Sequence, residues 1–136
     1  MFIKDNAAVL GKMEELCETL LQQEQFDELR AMLERFAADA RAQEQYDHFA
    51  KIGQNLLEKE RSGIEPTDDE KAGYEREERA LYGNDVIRQY LYANREFGQL
   101  KQMIDQYFSK TVETGRVPGG RELIRPIRGC GSHKST

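Results

Sequence analysis

The sequence predicts an all-α protein: a helical hairpin or bundle of about five helices, with one long C-terminal helix and a flexible tail. Three observations carry this. Pro66, Pro118 and Pro126 all fall outside the helix-period segments, as they must if the body is helical, because proline removes a helix hydrogen bond and clashes with the preceding turn. Apolar residues recur at spacings of three and four. Valine is rare, and no run alternates in the manner of a strand.

The first helix is expected over about residues 6–23, where Val9, Met13, Leu16 and Leu20 form one apolar stripe. A second covers about 26–38, with Leu29, Met32, Leu33 and Phe36 inward. Asp39 is a predicted N-cap for a third helix that continues through Tyr46, Phe49, Ile52, Gly53 and Leu56 to about Arg61. Whether the second and third are separate stays open at this level. Ser62-Gly63 ends the third, since glycine suits the left-handed position beyond a helix terminus. Thr67-x-x-Glu70 is a capping box that starts a short fourth helix, with Tyr74, Leu81 and Tyr82 as its inward residues. Asp85 is the predicted cap of the fifth, over about 86–113, which carries Val86, Tyr90, Ala93, Phe97, Leu100, Ile104 and Tyr107 in a four-three repeat. Ile87, Leu91 and Phe108 widen that stripe beyond the needs of one neighbour. Gly11, Gly53 and Gly98 sit inside helices and are either points of close approach or tolerated surface glycines.

At 136 residues, one main domain is expected over 1–115, followed by a basic, Gly- and Arg-rich tail over 116–136. Charged residues make up 33%, above the roughly 25% of typical chains. With aromatics at 9% and no tryptophan, the core should be thin, and a dimer would bury more apolar surface. No apolar run approaches the ~20 residues of a membrane span, the N-terminus lacks a signal pattern, and Cys17 and Cys130 make no disulfide framework. A cytoplasmic protein is expected.

The net charge of -5 is unevenly placed. The tail holds Arg116, Arg121, Arg125, Arg128 and Lys134 against Glu122 alone, a net +4, which leaves the preceding body at -9. Such a body repels phosphate, so direct nucleic-acid binding by the helices is not expected. The tail is the candidate element for an acidic partner or for RNA, and Leu123, Ile124 and Ile127 are the residues through which it would dock.

The run Gly63-Ile64-Glu65-Pro66-Thr67-Asp68-Asp69-Glu70, then Asn84-Asp85-Val86, then Tyr90-Leu91-x-Ala93-x-x-x-Phe97-x-x-Leu100, resembles the YlbF/YmcA family of small helical bacterial regulators over roughly residues 5–118. The resemblance implies an all-helical fold and a role in competence, sporulation or biofilm control. It also implies self-association or mixed complexes with related subunits, and for some members accessory work with ribonuclease Y in RNA processing. Some such complexes hold iron–sulfur clusters through several tail cysteines; this tail has Cys130 alone.

The chemical motifs are sparse. Cys130-x-x-His133 has ligand-like spacing between glycines, but zinc or a cluster wants four ligands, so a two-fold pair of chains would have to supply the residues twice. Cys17 reads as a small buried hydrophobe beside the first stripe, and His48 as a surface histidine without the Glu-x-x-His pairs of a di-iron bundle. No phosphate loop or nucleophile motif is present. The expected function is therefore that of a non-enzymatic regulator or adaptor without cofactor. Its contacts would run through Val9, Leu16, Leu91, Tyr92, Phe97, Ile104 and Phe108. A metal- or iron–sulfur-dependent sensor using the Cys130 tail is the alternative, and an RNA-binding tail a third reading.

Overall fold

A computed structural model describes residues 6–119, and every described element is helical. The order is α1 (Ala7–Leu21), α2 (Glu24–Ala37), α3 (Ala40–Arg61), α4 (Asp68–Tyr82) and α5 (Asp85–Thr114). Over the described residues the fold is thus all-α with five helices, as expected, and α2 and α3 are separate. The tail beyond residue 119, including Leu123, Ile124, Ile127, Cys130 and His133, lies outside the described residues.

Side chains set the boundaries. Asn6 caps α1 by accepting from the Val9 amide at 3.1 Å, and Asp39 caps α3 by accepting from Ala42 at 3.0 Å. Each satisfies an amide that has no partner inside the helix. Between α2 and α3, the Gln43 side-chain amide donates to the Phe36 and Ala37 carbonyls, both at 2.8 Å, so the end of α2 is closed from the next helix. At the end of α3, Gly63 takes φ +77°. The Ile64 amide then donates to the Lys59 carbonyl at 2.8 Å and the Gly63 amide to that of Glu60 at 3.1 Å, the paired bonds of a Schellman ending. The Thr67–Glu70 capping box forms in both directions.

The cap of α5 is displaced by one residue from expectation. Asn84, not Asp85, accepts from the Ile87 amide, at 3.2 Å, and its own side-chain amide donates to Gln45 on α3 at 3.1 Å. Asp85 is already helical and pairs with Arg88. An asparagine both accepts and donates, so it can close a helix and tie it to a neighbour, which a carboxylate cannot do.

Contacts divide the described residues into two compact units that part between Ala93 and Asn94. In the first, α1 packs on α2, α2 on α3, and α3 on α4. Its centre is Ala42, Leu81 and Ile87, with Phe36, Tyr46, Phe49, Val86 and Leu91 packed around them. Phe36 and Tyr90 stack at 3.8 Å, and Tyr46 meets both rings edge-on at 6.0 and 5.8 Å, joining α2, α3 and the start of α5. Phe49 stacks on Tyr74 at 4.9 Å and joins α3 to α4. A β-carbon at Gly53 would stand 3.4 Å from the Tyr74 ring, an ordinary contact distance, so this approach does not require a glycine there.

Two expected inward residues face outward. Tyr82 is exposed whereas its neighbour Leu81 is 1% accessible; successive helical residues point about 100° apart, and the core takes only Leu81. Cys17 is exposed rather than buried, on a helix that buries none of its residues fully.

Candidate interaction surface

Helix α1 contains no buried residue. Val9 and Leu20 are half-buried, whereas Leu10, Met13, Leu16 and Leu21 are exposed, Met13 by 44% and Leu21 by 52%. Helical spacing puts Val9, Met13, Leu16 and Leu20 in one row, with Leu10, Cys17 and Leu21 in the row beside it. Ala8, Val9, Lys12, Met13 and Leu16 line a shallow apolar depression. Lys12 turns toward Glu15 at 3.3 Å. On the other margin, Glu14 and Glu18 follow Leu10 and precede Cys17 and Leu21 at helical-neighbour spacing.

In the second unit, the C-terminal part of α5 exposes Met103, Ile104, Phe108 and Val112, the last two by 70% and 69%. Ile104, Phe108 and Val112 are spaced i, i+4, i+8 and so lie along one face.

The residues expected at an interface fall into distinct settings. Leu16, Tyr92, Ile104 and Phe108 are exposed, while Val9 and Phe97 are half-buried. Leu91 packs against the Ala42–Leu81–Ile87 cluster. Leu10, Met13, Leu21, Met103 and Val112 also belong to the exposed apolar set, beyond the contact residues expected from sequence. Their signal in the sequence is an apolar arc wider than a single row of side chains.

The polar features have structural partners. Glu70 accepts from the Thr67 amide and pairs with Lys59, and the Lys59 hydrogen bond leads the causes that hold its carboxyl below the ordinary value. That describes a helix start fastened to the preceding helix. His48 is exposed and lines an open groove between α3 and α4 with Ile52, Leu56, Tyr74 and Glu77. Among the described residues, no group of three or more His, Cys, Asp or Glu side chains is placed to hold a metal. Nor is any described helix long and apolar enough to cross a membrane.

Capped helices around a small core, with apolar side chains left exposed on α1 and toward the end of α5, define a small all-α protein. The family model described as "Control of competence regulator ComK, YlbF/YmcA" matches residues 9–113, and the chain belongs to this YlbF/YmcA regulatory family. It is similar to a UPF0342 protein of Desulfitobacterium hafniense (strain Y51), with 25% identity over 125 residues, covering 92% of this chain and 95% of that one. No solved structure matches the chain.

Proposed function

We propose that the chain is a non-enzymatic adaptor that works, without a bound cofactor, by burying apolar helix faces, chiefly of α1 and α5, against a second copy or a related family subunit. The assembly then modulates a larger machine, such as an RNA-processing protein of the ribonuclease Y type. Membership of a family described as controlling a competence regulator supports the regulatory part. The observation that carries the mechanism is α1, a capped helix with no buried residue and several exposed large hydrophobics. Each of those side chains gains roughly 1 kcal/mol when its exposed half is covered.

Light scattering with circular dichroism tests this. The wild-type chain should exceed its monomer mass. Met13→Glu with Leu16→Glu, or Ile104→Glu with Phe108→Glu, should lower that mass while helicity is kept. A wild-type chain that stays monomeric at high concentration overturns the proposal. For the RNA-processing part, native chain captured from its own cells should bring a ribonuclease subunit with it, and the dissociated variants should lose it.

A further inference from the structure

We infer that the open face of α1 is a docking site for residues 121–128 of a second copy of the chain, the basic tail of one molecule seated on the acidic-edged helix of another. The inference rests on the self-association proposed above and names the surfaces that make it.

The argument is one of matched chemistry. The α1 face offers an apolar row and, beside it, Leu10, Cys17 and Leu21, all exposed. From Val9 to Leu20 it runs for roughly 17 Å at the helical rise. One margin carries Glu14 and Glu18, while Lys12, the basic residue of α1, turns to Glu15 on the other side. An occupant should therefore be short, apolar at a few points and basic around them. The segment Arg121-Glu122-Leu123-Ile124-Arg125-Pro126-Ile127-Arg128 has that composition. Its apolar residues span five positions, at most about 14 Å between the first and last even when extended, which fits within the face. The tail carries +4 against a body of -9, so the two surfaces attract, and the attraction weakens as salt rises. A second α1 would bring its own Glu14 and Glu18 to the contact and lacks this complementarity.

Cys17 lies within the face and reports its coverage. The test uses the full chain with Cys130→Ser, so that Cys17 is its one thiol, and follows maleimide modification against protein concentration at low salt. Modification should slow on concentration by about ten-fold, the protection given by nine-tenths occupancy. The added changes Arg121→Glu, Arg125→Glu and Arg128→Glu should restore the dilute rate with helicity unchanged, as should high salt in the parent. If the chain associates by light scattering but charge reversal leaves the Cys17 rate unchanged, the tail is not the occupant, although the adaptor reading survives. A Cys17 that stays reactive at every concentration in an associating chain likewise removes the tail and spares the adaptor. If the chain does not associate at all, both fall.

Discussion

Helices α1 and α3 both carry apolar stripes readable from sequence, yet only one is covered within the described chain. Helix α3 touches three other helices through Phe49–Tyr74, Tyr46–Tyr90 and Phe36–Tyr46, buries Ala42 completely, and is fixed at both ends by Asp39 and the Gly63 turn. Helix α1 is capped by Asn6 and packs on α2, but buries nothing fully. Periodicity therefore announces a face without saying what meets it. A stripe opposed by aromatic rings becomes core, and one left open becomes available surface.

The largest effects should come from breaking the covered side. Leu81→Ala removes a side chain that is 1% accessible and should cost ~2–5 kcal/mol of stability. Met13→Ala on the open face should change the stability of dilute protein by less than ~0.5 kcal/mol. Urea unfolding of the two variants measures the contrast. Equal losses would mean that α1 is as much a part of the folded core as α4.

Much of this architecture is legible in the sequence. The five helices, the Asp39 cap, the Thr67 box and the Gly63 ending are local, and local hydrogen-bond chemistry is written in a few adjacent residues. The misplaced features are tertiary. Tyr82 and Leu81 look equally apolar in sequence, but only packing selects Leu81. Cys17 sits beside a stripe whose covering partner is not encoded nearby. Asn84 is hard to pick out because its second role, donating to Gln45, joins residues 39 positions apart. Of the expected contact residues, Leu91 illustrates the limit best: a widened arc can mean either an outer partner or one more residue against the inner cluster.

The caps give the next tier. Asn84→Ala should cost about 1 kcal/mol for the lost N-cap, and more if the Gln45 link adds to it. Asn84→Asp keeps the cap and loses the donor, so the gap between the two variants isolates the cap. If both lose the same amount, the cap contributes little and the link to α3 accounts for the loss.

Glycines sharpen the comparison further, since they separate local from tertiary demands. Gly63→Ala forces a side chain into φ +77° and should destabilise by ~1–2 kcal/mol. Gly11→Ala on α1 meets open space and should stabilise by up to ~1 kcal/mol through helix propensity. Gly53→Ala should fall between them, because its new methyl reaches ordinary contact distance from Tyr74. Thermal midpoints should be lowest for Gly63→Ala and highest for Gly11→Ala, and a destabilised Gly11→Ala would indicate that α1 is tightly covered at that point.

The smallest effect concerns the fastening of α4 to α3. Lys59 pairs with Glu70, and the Thr67 amide donates to the same carboxylate, so the folded chain holds that proton more weakly than the unfolded chain does. A carboxyl depressed in this way stabilises the fold fully at pH well above its ordinary value near 4.5, and the contribution is lost as pH falls through that value toward the depressed one. The pair is partly open to water, so the effect is small and salt-sensitive. Glu70→Gln keeps the shape of the cap and removes the titration. At neutral pH the wild type should be the more stable in urea, and the gap should narrow on acidification below about 4.5. Other carboxylates titrate in the same range, but they are common to both proteins and cancel in the difference. A gap that stays constant with pH would mean that the charge of Glu70 does not hold the α3–α4 hairpin and that its cap geometry alone does.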